Sequence, residues 1–271
     1  MLIAQLTDTH IKNAGRLAYG RVDTAACLKA AVDALRKLDP QPDLVVLTGD
    51  LVDVGSAEEY ACLQVILAPL PQALVVVPGN HDEREAMRRA FAPAGYFPAT
   101  GFLQFAIDDY PLRIVGLDTL VPGQGGGELC AERLDWLART LAERPAAPTL
   151  ILMHHPPFAT GIGHMDRIGL RGRAAFARLL EQHPQVQRVL CGHLHRTIHA
   201  MVGGRAALTC PSTAHQVALD LREQAPSGFR MEPPGFMLHR WHDGVLVSHV
   251  ANIGDFAGPY PFFDESGALI D

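Results

Sequence analysis

Two histidines, His193 and His195, stand one residue apart in LCGHLHRT (190–197), directly after a glycine that ends an apolar run. In extended chain, residues i and i+2 point the same way with Cα atoms roughly 6–7 Å apart. The two imidazoles can therefore reach one centre or two adjacent centres; the same pair also suits a solvated turn. Other donors close other apolar runs. Asp8 and His10 follow LIAQL, Asp50 closes DLVVLTGD, Asn80 and His81 close ALVVVPGNH, and His154 lies in TLILMHH. In open α/β sheets, ligands gather outside the carboxyl ends of strands. Imidazole, carboxylate and amide donors without thiolate suit Fe, Mn, Zn or Co and do not select among them.

The elements that must position these residues are legible as alternating patterns. Six short runs rich in Val, Ile and Leu (2–8, 43–50, 73–82, 113–119, 149–155 and 188–195) read as buried strands. Between them, VDTAACLKAAVDALRKL carries apolar residues at helical spacing, with Asp23 as N-cap. SAEEYACLQVILAPL opens with a capping-box pattern from Ser56 to Glu59. AERLDWLARTLAE and GRAAFARLLEQH supply two more helices. The alternation predicts a layered α/β fold. Beyond residue 197, hairpins are expected around Gly203-Gly204 and Asp243-Gly244, with a polar loop at 221–235. The expected division is a catalytic domain over 1–250 and a C-terminal tail over 251–271, with no second independent domain.

Composition narrows the partners. A formal net charge of −6 without any Lys/Arg cluster argues against a nucleic-acid polymer or a basic membrane face. No apolar run approaches the ~20 residues of a membrane span, and the N-terminus lacks a signal-peptide pattern. The five scattered cysteines (Cys27, Cys62, Cys130, Cys191 and Cys210) read as reduced packing residues. A cytoplasmic location is expected.

The blocks DTH (8–10), GD (49–50), GNHD (79–82), HH (154–155) and GHLH (192–195), in this order, resemble those of the calcineurin-like metallophosphoesterases, over nearly the whole chain. LAYGRVD (17–23) and FAGPYPFFDE (256–265) point to the class III cyclic nucleotide phosphodiesterase branch, which includes bacterial glycerophosphodiesterases. The resemblance implies a four-layer αββα sandwich with small loop and hairpin cap elements. It also implies a binuclear centre of divalent or trivalent ions. Asp8, His10 and His195 would hold one ion, Asn80, His154 and His193 the other, and Asp50 would bridge them. His81 would face the substrate, with Asp82 orienting it, and His215 would lie near the site. A homodimer or higher homo-oligomer is implied as well. His155 reads as structural, and His164, His183, His199, His239, His242 and His249 as ordinary surface or packing histidines.

Within that family, the Ser/Thr protein phosphatases carry two phosphate-gripping arginines at positions that are Pro78 and Val54 here. Bidentate guanidinium contacts favour a phosphate dianion, so their loss favours the singly charged diester. The expected activity is hydrolysis of small phosphodiesters, glycerophosphodiesters or 3′,5′-cyclic nucleotides, by attack of a metal-bound hydroxide. The alternatives are a phosphomonoesterase and a non-catalytic metal-binding scaffold. Residues 11–22, 123–129 and 158–172 are candidate loops around the substrate.

Overall fold

The computed structural model describes residues 1–270; Asp271, the last residue of the expected tail, lies outside them. The β strands are β1 (Leu2–Leu6), β2 (Leu44–Leu47), β3 (Ala73–Val76), β4 (Phe105–Ile107), β5 (Arg113–Gly116), β6 (Gly127–Glu128), β7 (Thr149–Leu152), β8 (Leu170–Arg171), β9 (Val186–Cys191), β10 (Ile198–Val202), β11 (Arg205–Thr209), β12 (Gln216–Val217), β13 (Phe229–Arg230), β14 (Gly235–His242) and β15 (Val245–Asn252). The helices are α1 (Thr24–Arg36), α2 (Ala57–Leu67), α3 (Arg84–Ala90), α4 (Ala131–Glu143), α5 (Gly163–Asp166) and α6 (Arg173–Gln182).

Two sheets carry the fold. One has the order β15-β14-β1-β2-β3, with β1, β2 and β3 parallel; the other has the order β10-β11-β9-β7-β5-β4, with β5, β7, β9 and β11 parallel. Alternation along each strand feeds two cores at once. In β2, Leu44 and Val46 face the layer between the sheets, where they meet Leu150, Leu152 and Leu190. Val45 and Leu47 face the other way, against Leu28, Leu35 and Leu63 of α1 and α2. The second sheet mirrors this, packing Ile151 and Val189 on Leu137, Leu141, Phe176 and Leu180 of α4 and α6. Helix, sheet, sheet and helix layers result, because strands buried on both faces need cover on both.

The local signals hold. Asp23 accepts from the Ala26 N–H, and Ser56 from the Glu59 N–H, as N-caps. Glu59 does not complete the capping box; its carboxylate accepts from the Val54 N–H at 2.9 Å. Both hairpins form, with positive φ at Gly203 and Gly204 and at Asp243 and Gly244, as two-residue mirror-image turns require. The stretch 221–235 is mostly loop, yet Phe229–Arg230 pairs with Gln216–Val217 as a ribbon outside both large sheets.

Candidate metal centre

Parallel strands place their carboxyl ends at one edge, and the candidate ligands follow five of them. Asp8 and His10 follow β1, Asp50 follows β2, Asn80 and His81 follow β3, His154 follows β7, and His193 and His195 follow β9. The chain reverses sharply there. Asp8, His10, Asp50, His193 and His195 all adopt left-handed backbone, with φ of 51°, 43°, 51°, 70° and 53°. Each such residue costs of order 1–3 kcal/mol and persists only where its surroundings demand it. Two glycines permit the close packing behind them. A Cβ on Gly192 would meet the Thr48 carbonyl oxygen at 2.7 Å and Asp8 Oδ2 at 2.8 Å. One on Gly79 would strike the Asp50 carboxylate and backbone N–H.

Backbone carbonyls fix the histidine tautomers. His154 Nδ1 lies 2.8 Å from the Thr48 oxygen, His195 Nδ1 2.9 Å from the His215 oxygen, and His193 Nε2 3.2 Å from the Ile168 oxygen. A carbonyl only accepts, so each of these nitrogens carries the hydrogen and the other ring nitrogen presents a lone pair. Those lone pairs meet other lone pairs. His154 Nε2 is 3.2 Å from Asn80 Oδ1 and 3.3 Å from Asp50 Oδ2. His195 Nε2 is 3.4 Å from Asp8 Oδ1. His10 Nε2 stands 3.2 Å from the same His195 nitrogen with no carbonyl fixing the His10 tautomer, and His10 Nδ1 is buried without a hydrogen-bond partner. Acceptors facing acceptors in a buried site are unfavourable unless a proton or a cation lies among them. The donor set thus fits metal ions, and the donor atoms of Asp8, His10 and His195 all lie within 4.8 Å of one another, as do those of Asp8, Asp50 and His154.

Charge divides along the same lines. Burial holds His10 and His193 well below the usual imidazole range. Burial also raises the Asp8 carboxyl. Asp50 is held well below the carboxylate range: burial opposes this, but His154, His81 and His10 outweigh it. Its Oδ1 accepts from the His81 N–H at 2.8 Å, while Oδ2 faces His154 at 3.3 Å and His10 at 3.7 Å. One oxygen thus lies between the two ligand groups.

The other expected site residues fall into place differently. His81 Nδ1 bonds to the Asp53 carbonyl oxygen at 2.7 Å, leaving Nε2 as its second nitrogen. Asp82, expected to orient His81, does not do so. Its carboxylate accepts from the Gly79 N–H at 2.9 Å, the Leu51 N–H at 3.2 Å and the Tyr60 hydroxyl at 2.8 Å. It fastens the GNHD turn to the GD turn and to α2 instead. His215 is buried beside His195, at a ring separation of 4.6 Å. His155 is structural, because both nitrogens are engaged, by Thr119 Oγ1 at 2.8 Å and the Gly125 oxygen at 3.1 Å.

A cavity of about 390 Å³ opens over the centre, lined by His10, Asp50, Asn80, His81, His193, His195 and His215 on its floor. Tyr19, Met165, Ile168 and Phe229 form its walls, and His164 lines it too rather than standing as an ordinary surface residue. A second hollow of about 330 Å³ shares Asn80 and His81 and continues past Arg84, Leu120 and Gly123. Tyr19 and Ile168 come from two of the three stretches expected around the substrate, and Gly123 of the third lines the second hollow. Phe229 carried no signal, because it sits in a polar loop that only the β12–β13 ribbon brings back to His215, at 5.0 Å ring to ring.

Known proteins resemble this chain in sequence and fold. The family model described as calcineurin-like phosphoesterase matches residues 1–197. Over the full length of both chains, the sequence is 42% identical to an Arcobacter nitrofigilis protein named "Probable glycerophosphodiester phosphodiesterase GpdQ". It is 34% identical to the 3′,5′-cyclic adenosine monophosphate phosphodiesterase CpdA of Escherichia coli K12, covering 93% of this chain and 90% of that one. A dimetal phosphatase from Danio rerio superposes with a TM-score of 0.66 at 16% identity, covering 93% of this chain and 98% of that one, a likeness of fold.

Proposed function

We propose, from the premise that this chain belongs to the calcineurin-like phosphoesterase family, that glycerophosphodiesters and 3′,5′-cyclic nucleotides are its substrates. The protein is a metal-dependent phosphodiester hydrolase. The observation that carries the substrate reading is the pair of hollows that both have Asn80 and His81 in their lining. A diester has two ester arms and needs room on both sides of phosphorus; a monoester needs it on one. The absence of guanidinium groups at Pro78 and Val54 favours the same charge state.

In this reading Asp8, His10 and His195 would hold one ion, Asn80, His154 and His193 a second, and Asp50 would serve both. Iron, manganese, zinc and cobalt all suit these donors. When bound, the ions supply Lewis acidity, offsetting phosphate charge and acidifying water. The residues do the rest. Thr48, Ile168 and the His215 carbonyl hold three imidazoles in the tautomers that leave a lone pair for metal. His81 donates its Nδ1 hydrogen to the Asp53 oxygen, so a second proton on Nε2 is available for a departing alkoxide. Without metal, burial opposes that protonation, but Asp50 and the Asp53 carbonyl outweigh it and raise His81 above its ordinary value; with ions on Asp50, the Asp53 carbonyl is the support that stays. Tyr19, Phe229 and Ile168 shape the space for one ester arm. The expected boundary at 250 moves to 252, because β15 keeps Ala251 and Asn252 paired with Phe236 and Gly235; residues 1–252 form the catalytic unit, in a cytoplasmic homodimer or higher homo-oligomer.

The test uses metal-reconstituted protein against glycerophosphocholine, glycerophosphoethanolamine, cAMP, bis(p-nitrophenyl) phosphate and p-nitrophenyl phosphate. The diesters should be turned over with the higher kcat/KM. A tenfold preference for p-nitrophenyl phosphate over bis(p-nitrophenyl) phosphate would overturn the substrate class.

A further inference from the structure

A line of polar side chains runs through the apolar layer between the two sheets. Gln5 and His239 are both wholly buried there, on β1 and β14, among Ile3, Val46, Leu190 and Met237. Buried polar groups are costly unless fully partnered; Gln5 and His239 are, and only the Nε of Arg188 in this line lacks a partner. Arg188 on β9 donates to Ser248 Oγ on β15. Ser248 Oγ lies 2.6 Å from His239 Nδ1, and His239 Nε2 lies 3.0 Å from Gln5 Oε1. Gln5 Nε2 then donates twice, to Thr48 Oγ1 at 2.9 Å and to the Cys191 carbonyl oxygen at 3.0 Å.

The line has one direction. A guanidinium only donates and a carbonyl only accepts; with Arg188 at one end and the Cys191 oxygen at the other, Ser248 accepts from Arg188 and gives its hydrogen to His239 Nδ1. His239 then carries its hydrogen on Nε2 and gives it to Gln5 Oε1. Burial, with Arg188 and His249, keeps the ring neutral, its pKa depressed to about 3. With its oxygen committed, the Gln5 amide can only turn its NH2 toward Thr48 and Cys191. Those two residues matter. Thr48 belongs to the turn after β2, two residues before Asp50, and its carbonyl fixes His154. Cys191 ends β9, two residues before His193. One buried amide therefore ties the Asp50 and His154 side of the centre to the His193 and His195 side, across the two sheets.

We infer that Gln5 is a positioning residue for the metal centre, oriented by His239, and that it acts through Thr48 and Cys191 rather than by touching ions or substrate. The inference rests on the reading of the centre as a metal site. The hydrogen bond that holds a metal-ligating histidine is commonly worth ~10–100-fold in metal affinity, and Gln5 holds, through the Thr48 hydroxyl, the residue whose carbonyl makes one.

Zinc-loaded full-length protein is titrated against a competing chelator for wild type, Gln5→Leu and Leu112→Ala. Leu112 lies in the same inter-sheet core, away from the polar line, and serves as a control for plain destabilisation. Gln5→Leu should bind at least one zinc about tenfold more weakly at a temperature where it stays folded; Leu112→Ala should lose thermal stability and keep its zinc affinity. Ring-nitrogen NMR of the zinc-loaded wild type should show His239 as the neutral Nε2–H tautomer, and Ser248→Ala should disturb that tautomer. Gln5→Leu with wild-type zinc affinity overturns the inference, as does His239 protonated on Nδ1 at pH 7. Should Gln5→Leu not fold, Ser248→Ala decides: an unchanged tautomer and an unchanged zinc affinity overturn it. A wild-type protein that binds no zinc refutes the metal-site reading instead.

Discussion

Tyr60→Phe removes one oxygen from the core and nothing else. That oxygen donates to Asp82 Oδ1 at 2.8 Å and accepts from the Glu83 N–H at 3.4 Å, and the ring around it is 1% exposed. A hydrogen bond to a charged group contributes ~1.5–3 kcal/mol, a neutral one ~0.5–1.5 kcal/mol. Which applies depends on Asp82. Burial, reinforced by Asp50, raises its carboxyl from 3.8 to about 6, while the Gly79 and Leu51 N–H groups and the Tyr60 hydroxyl pull it down. The sign follows. A carboxyl whose folded pKa exceeds its unfolded one stabilises fully below 3.8 and loses that contribution as pH rises through about 6, a difference of about 3 kcal/mol. Losing the Tyr60 donor enlarges that loss, so the substitution costs most where Asp82 is ionised. Urea unfolding of metal-stripped Tyr60→Phe and wild type should differ by ~1.5–3 kcal/mol at pH 8 and by ~1 kcal/mol at pH 5. A difference below ~0.5 kcal/mol at pH 8, or one equal at both pH values, refutes the role given to Asp82.

Three further outcomes are expected. Asp50→Ala should drop metal content well below two per chain and nearly abolish hydrolysis; a variant with both metals and near-normal kcat would refute the shared-ligand role. His81→Ala should lose ~10²–10⁴-fold on glycerophosphocholine, whose leaving alkoxide needs a proton, and far less on bis(p-nitrophenyl) phosphate. Equal losses would assign His81 to positioning or charge stabilisation instead. His239 is neutral in the fold because burial depresses it from 6.5 to about 3, so its contribution is whole above 6.5 and is lost as pH falls. At pH 5 that loss is ~2 kcal/mol, and His239→Gln should remove it from the urea-midpoint profile; an unchanged profile counts against a buried neutral ring.

The ligand constellation was legible because each member sits where an apolar run stops, and a strand end is a local feature. Asp23, Ser56 and the turns at Gly203-Gly204 and Asp243-Gly244 were legible for the same reason. What escaped the sequence depends on partners far along the chain. His239 reads as packing until its ring is seen against Gln5, 234 positions away. Asp82 follows His81 directly, which suggested a partnership, but its side chain turns back toward Leu51 and Tyr60. His81 takes its support from a backbone carbonyl, that of Asp53, and carbonyls carry no residue signature. Phe229 enters the cavity only because a two-residue ribbon folds a polar loop inward.

The two small ribbons, β6 with β8 and β12 with β13, join neither large sheet. They and the loops around them carry the cavity walls, while the strained strand ends carry the donors for metal. The consequence is a division of labour. The strand ends tolerate almost no change, since left-handed backbone and glycines without room for a Cβ leave each ligand a single geometry. The walls face less constraint, for Tyr19, Ile168 and Phe229 belong to neither large sheet, and what the centre takes from Ile168 is its backbone carbonyl, not its side chain. A scaffold built this way can trade one phosphodiester for another by exchanging rim residues, with the chemistry beneath them left in place.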